Sequence, residues 1–203
     1  MFYRPGLDPH GLPHNPFKAL VSPRPIGWIS TLDAEGRANL APYSFFNAVA
    51  DTPPMVMYAS TGAKIGRDEG KDTLANIRAT GEFVVNLVSF ALRDAMNVSS
   101  GFFAPGEDEF DRAGLEKAAC REVGPPRIAL APASLECRCW KVLELPGEAN
   151  VLVLGEVVGV HIDDGVIEAG KVEVTRYRPL SRLGYRDYAA VSETFALNRP
   201  GQS

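Results

Sequence analysis

Ser22-Pro-Arg-Pro-Ile-Gly-Trp-Ile-Ser-Thr31 and, a turn later, Asn39-Leu-Ala-Pro-Tyr-Ser-Phe-Phe-Asn47 decide the reading of this chain. Together they predict a strand over about 24–32, a tight turn at Asp33-Ala-Glu-Gly36, and a second strand over 37–48. The composition is odd for a plain hairpin. Gly and Pro weaken strand interiors, and Pro gives the ladder no donor. Such a run makes sense where the backbone itself faces a ligand, because glycine permits close approach and unpaired main-chain groups can bond another molecule.

Outward from this pair, Asn15-Pro-Phe-Lys-Ala-Leu20 predicts one helical turn, with Asn15 as cap and Pro16 in the first position. Met55-Val-Met-Tyr-Ala-Ser60 reads as a buried strand. Lys71 to Thr80 predicts a helix that Asp72 or Thr73 caps, that buries Leu74 and Ile77 on one face, and that Gly81 ends. Strands follow over 82–88, 133–145 and 150–162, the last two joined as a hairpin through Pro146-Gly147-Glu-Ala-Asn150. Ala91 to Val98 has helical composition, a short strand is expected near 171–175, and 100–130 reads as a long irregular excursion. Many short strands and few helices favour a small barrel or sandwich. The chain of 203 residues fits a single domain, with an N-terminal arm over 1–14 and a tail over 193–203.

The two opening runs resemble the signature of the FMN-binding split-barrel flavoproteins, the flavin reductase-like domain family. The resemblance continues through Lys71-Asp-Thr-Leu-Ala-Asn-Ile77, Thr80-Gly-Glu-Phe-Val-Val-Asn-Leu87, Gly155-Glu-Val-Val-Gly-Val-His-Ile162 and Pro179-Leu-Ser-Arg-Leu-Gly184. It thus covers nearly the whole chain, in order. It implies a mainly β fold, a six-stranded split barrel with a few short helices, dimeric, with FMN at the subunit interface. It implies a flavoprotein oxidoreductase that takes hydride from NADH or NADPH. Three activities stay open: a flavin reductase supplying a partner oxygenase, an enzyme acting on its own small organic substrate, and a flavin-binding or electron-transfer module without turnover.

Four groups of residues are candidates for the site. The loop from Ser60 to Thr73 joins a strand to a helix start, the generic recipe for a phosphate site, since helix N-termini offer free N–H groups and a positive dipole end. Its alternative is an ordinary capped helix; the resemblance implies that Lys71, Asp72 and Thr73 lie beside the FMN phosphate, with Ser60 near by. Ser44, Phe45, Phe46 and Asn47 form the second group. Adjacent aromatics of a strand point to opposite faces, so one Phe belongs to the core, while backbone groups and the Asn47 amide suit the polar edge of a flavin. Arg24, held extended between Pro23 and Pro25, is either a surface residue at a strand start or a cation near the flavin ring. His161 is the candidate catalytic residue. Alternation places it with Gly155, Val157 and Gly159, opposite Val158, Val160 and Ile162. The aliphatic face is expected to be core, and the glycine-scooped face to admit a ring or a second chain.

Other features exclude function classes. The net charge of −4 argues against nucleic acid as a general partner. No run approaches the ~18 apolar residues of a membrane span, and Met1-Phe-Tyr-Arg-Pro-Gly lacks the pattern of a secretory signal. A cytoplasmic protein is expected, with its 3 cysteines reduced. His10 and His14 have the spacing of a zinc pair, but Gly11 and Pro13 spoil the helix that would align them. Cys137 and Cys139 read as small core residues. There is no Gly-x-Gly-x-x-Gly after a strand, so a nicotinamide donor would have to stack transiently over the flavin.

Overall fold

The computed structural model describes residues 1–62, 72–104 and 107–201. Seven strands make the main sheet: β1 (Gly27–Leu32), β2 (Ala38–Tyr43), β3 (Phe46–Asp51), β4 (Pro54–Ser60), β5 (Glu82–Leu87), β6 (Ala133–Glu144) and β7 (Val151–Ile162). All neighbours are antiparallel, in the order β2-β1-β5-β6-β7-β4-β3. The two edge strands, β2 and β3, are consecutive in the chain and separated only by Ser44 and Phe45. That connection spans at most about 11 Å, so the sheet must curl until its edges nearly meet. The Phe45 carbonyl accepts the Ala59 N–H at 2.8 Å and extends the β3–β4 ladder back into this connection. The result is a small barrel, split along one side.

The expected strand count is therefore corrected from six to seven. The run 37–48 is not one strand: it breaks at Ser44-Phe45, and each half serves a different edge.

The barrel interior is filled by Ile29, Tyr43, Phe46, Tyr58, Phe83, Val85, Cys137 and Val153, closed at one end by Leu74 and Ile77. Those two come from helix α1 (Asp72–Thr80), on the face the sequence predicts. A second apolar cluster lies outside the barrel wall: Trp28, Leu40, Val88, Met96, Phe110, Leu115 and Ile128. The stretch 100–130 supplies several of these, so it is not simply irregular. It follows helix α2 (Arg93–Ser99) and contains helix α3 (Glu109–Arg112) and a paired Lys117–Ala118 and Arg127–Ile128. Trp28 joins the layers, its indole N–H donating to Ser99 Oγ at 2.8 Å. With both faces covered, β1 is buried from Gly27 to Thr31.

β7 corrects a second expectation. Val160 and Ile162 are 57% and 41% exposed, while Val151, Val153 and Gly155 face the interior. The aliphatic side is the outer one. The core bulk opposite the glycines comes from neighbouring strands. A Cβ on Gly155 would lie 2.3 Å from Phe83 Cζ, and one on Gly159 would lie 3.2 Å from Glu136 Cδ. Small residues facing large ones are how a small barrel fills its interior. No described helix is long and apolar enough to cross a membrane.

Candidate functional site

The open seam is where the candidate residues gather. Tyr43, Ala41 and Asn39 lie opposite Gly27, Ile29 and Thr31 of β1, and Pro42 lies opposite Trp28. Pro42 has no N–H, so the 39, 41 and 43 positions carry the ladder bonds. The main-chain groups of Leu40 and Pro42 then turn outward. Two cavities line this edge. One, of about 350 Å³, is bounded by Asn39, Tyr43, Thr61, Asp72, Thr73, Ser100 and Phe102. The other, of about 620 Å³, is bounded by His14, Lys18, Arg24, Ser44, Arg182, Tyr185 and Tyr188. Both include Pro42 and Ser100, so they form one cleft that passes over the β2 edge.

The smaller cavity ends at the start of α1. Buried Thr73 donates its hydroxyl to Asn39 Oδ1 at 2.7 Å. The Asn39 amide donates to Glu109 Oε1 at 2.9 Å, and the Leu40 N–H donates to Glu109 Oε2 at 3.0 Å. Glu109 thus covers the outward donor of the edge strand and links α3 to α1 through Asn39. Burial pushes the Glu109 carboxyl above the ordinary range, and the nearby Asp72 adds to the rise. Burial likewise pushes the Tyr43 phenol up to about 12, with the Thr73 hydroxyl pulling the other way.

The larger cavity is basic and aromatic. Arg24 is buried, and its Nη1 donates to the Lys18 and Val21 carbonyls while Nη2 donates to the Leu183 carbonyl at 2.8 Å. Its guanidinium therefore knits the 17–21 turn to the far end of the chain, and its Nε finds no partner among the described residues. Burial and the neighbouring Arg182 lower its pKa. Phe45 stands beside it: Lys18 Nζ and Arg24 Cζ each lie 5.8 Å from the ring centroid.

The structure brings Arg24, Ser44, Asp72 and Thr73 to this cleft. Other predicted residues lie elsewhere. Phe46 is core, packed on Gly27, where a Cβ would lie 2.8 Å from its ring. Gly27 thus makes room for a phenyl group of the same chain rather than for a ligand. Asn47 is exposed, and its Oδ1 accepts the Ala48 N–H at 2.9 Å. Ser60 is buried at the end of β4. Lys71 lies outside the described residues. His161 sits in a separate cavity of about 560 Å³ that shares no lining residue with the cleft. Asn39 and Glu109 are the partners that sequence reading misses. A lone Asn inside a buried strand is a signal for the first. Nothing local marks the second, 70 residues away.

A small antiparallel barrel, split at an edge that faces a cleft beside a helix start, defines a class of ligand-binding barrels. Residues 20–186 match the family model of the flavin reductase like domain, and the chain belongs to this family of flavin-binding split barrels. An uncharacterized protein of Aquifex aeolicus is 38% identical over 172 residues, 83% of this chain and 85% of that one. Among solved structures, nitrilotriacetate monooxygenase component B from Bacillus cereus superposes with a TM-score of 0.88 at 29% identity, covering 97% of this chain and 98% of that one. The 2-nitrobenzoate 2-nitroreductase NbaA of Pseudomonas fluorescens gives 0.80 at 29% identity, covering 91% and 89%.

Proposed function

We propose that the chain binds FMN without a covalent link in the cleft over the β2 edge and works as an FMN-dependent oxidoreductase reduced by NADH or NADPH. The observation that carries this reading is the joining of two cavities at Pro42 and Ser100, one ending at a helix start and the other lined with aromatic and basic groups. The cleft suits an elongated anion with a planar end. Main-chain N–H groups at the start of α1 hold the phosphate, and Asn39 and Thr73 shape that pocket. Glu109 fixes Asn39 in that pocket through its two accepted bonds. The outward main-chain groups at 40–44 meet the polar edge of the ring, with Ser44 alongside. Arg24 holds the wall through its three carbonyls. When bound, FMN supplies hydride acceptance and electron transfer.

The chain is proposed to act as a homodimer, supported by the exposed Val160 and Ile162 on the outer face of β7. Reduced flavin is handed to a partner oxygenase only if it leaves readily, and the likeness to component B of a monooxygenase supports that arrangement. The three free cysteines suit a reducing compartment such as the cytoplasm.

The test is flavin binding followed by turnover. The purified chain should quench FMN fluorescence with saturation, and NADH or NADPH oxidation should depend on added FMN. Absence of binding at tens of micromolar FMN refutes the reading. Binding without nicotinamide oxidation leaves a flavin-binding module and removes the enzyme.

A further inference from the structure

On the other side of the barrel, β7 and the segment before β6 enclose the cavity that contains His161. At its wall the donor atoms of Glu136 and His161 lie with that of Cys120 all within 4.8 Å of one another. Glu136 is the centre of this group. Its side chain is 1% exposed, and His161 Nε2 lies 2.5 Å from its Oε1. Three successive main-chain N–H groups hold the carboxylate: Arg121 donates to Oε1 at 2.9 Å, and Glu122 and Val123 donate to Oε2 at 2.6 and 3.1 Å. The Cys120 Sγ lies within 4.8 Å of the Glu136 and His161 donor atoms. Gly159 is needed opposite, where a Cβ would crowd the carboxylate carbon.

A buried carboxylate oriented by three backbone donors is costly to assemble and serves no apolar packing. The order of the groups says what it can do. In a nucleophile relay the imidazole stands between thiol and carboxylate. Here the three donor atoms all lie within 4.8 Å of one another, close enough to be drawn onto one cation. The donor set is mixed: one sulfur, one nitrogen, one oxygen. Thiolate and carboxylate together balance a divalent charge, and the imidazole can bind neutral. Borderline-soft zinc accepts all three donor types. Tetrahedral zinc bonds of about 2.0–2.3 Å separate ligand atoms by roughly 3.3–3.6 Å. The N···O pair would therefore open by about 1 Å.

We propose that Cys120, Glu136 and His161 form a zinc(II) site, separate from the flavin cleft, with its fourth position open to the cavity. The three ligands come from β6, β7 and the 100–130 excursion, so the metal would also staple that excursion to the barrel.

The test uses the full-length chain stripped of metal with a chelator and titrated with zinc chloride by calorimetry. One zinc per chain is expected, with an affinity of about 1 µM or tighter. Cobalt(II) in its place should give a thiolate charge-transfer absorption in the difference spectrum. Cys120→Ala and His161→Gln should each weaken zinc by at least about tenfold while circular dichroism shows the fold retained. No zinc binding by the wild-type chain overturns the proposal. So does binding that both variants keep, which would place the metal elsewhere. If a variant fails to fold, the wild-type cobalt spectrum decides, and absence of the thiolate band refutes the site.

Discussion

Glu109→Ala tests whether the excursion is tied to the barrel edge in the way the structure shows. The carboxylate accepts from the Asn39 amide and from the Leu40 N–H, at 2.9 and 3.0 Å, in a place where both donors are buried. Removing it strands two donors. Each unsatisfied buried donor costs about 1–3 kcal/mol, less where water can enter. A total of about 2–5 kcal/mol is expected, a large part of the roughly 5–15 kcal/mol that holds a domain together. For a chain of this size that lowers Tm by roughly 4–20 °C. Glu107 provides the control from just before the same short helix. Its pair with Arg112 is exposed, so Glu107→Ala should cost under about 1 kcal/mol. Urea midpoints for both variants, measured beside wild type, read the difference. The FMN titration supplies a second readout, because Asn39 would lose the group that orients it toward Thr73. If Glu109→Ala cost no more than Glu107→Ala, the bonded chain from α3 through Asn39 to α1 would not be holding the edge.

Thr73→Val keeps shape but removes the hydroxyl that donates to Asn39. It should weaken FMN by about tenfold, the worth of one hydrogen bond near a charged group, and leave riboflavin little changed; equal losses would put the phosphate elsewhere. Gly155→Ala forces a methyl to 2.3 Å from a fully buried Phe83 ring, an overpacking cost of about 1–3 kcal/mol, which Phe83→Leu in the same chain should partly relieve; strictly additive urea midpoints would contradict the packing. Two buried carboxylates give stability opposite pH slopes. Glu109 is raised, so its contribution is complete below the ordinary value of 4.5 and is lost as pH rises through its folded value, whereas Glu136 is lowered, so its contribution is present above 4.5 and is lost as pH falls through its folded value. Glu109→Gln should flatten the first slope and Glu136→Gln the second, and urea midpoints taken across pH would show neither change if these carboxyls titrate alike in both states. Stopped-flow reduction by NADH should be the same for His161→Gln and wild type, since its cavity shares no residue with the cleft; a changed rate would return His161 to the reaction.

Local pattern made most of the barrel legible. The strands at 55–60, 82–88, 133–145 and 150–162 and the helix ending at Gly81 follow from β-formers, turn residues and one capped apolar face, and they stand within a residue or two of the structure. What failed was information that neighbours in space supply. Val158, Val160 and Ile162 look like a core face because they are aliphatic, yet the interior bulk beside β7 comes from Phe83 on β5. Gly27 looks like a ligand-facing glycine until Phe46 fills it. The same holds for His161. Its glycine-flanked strand suggests a cleft, but the scooped space belongs to a carboxylate of the adjacent strand. The helix start at the proposed phosphate end was readable because its signal is local, one apolar face ended by Gly81. Glu109 was not, because its two bonds cross 70 and 69 residues.

The split in the barrel explains why the cleft lies where it does. An edge strand carries unpaired main-chain groups that invite another chain. In β2 the outward donor at position 40 is covered by Glu109, and the next outward position is a proline with no donor to cover. What remains exposed along this edge is mainly acceptor, between the α1 start at one end and the arginines at 24 and 182 at the other. A strand from another chain would need alternating donors and acceptors and finds the pattern broken at Pro42. The proposed flavin, with a ring donor between an anionic tail and an aromatic face, would not need that alternation. The devices that protect the edge from strand addition thus also leave room for the proposed ligand, and they depend on the excursion of 100–130 staying docked through Glu109 on one side and through the Glu136 cluster on the other.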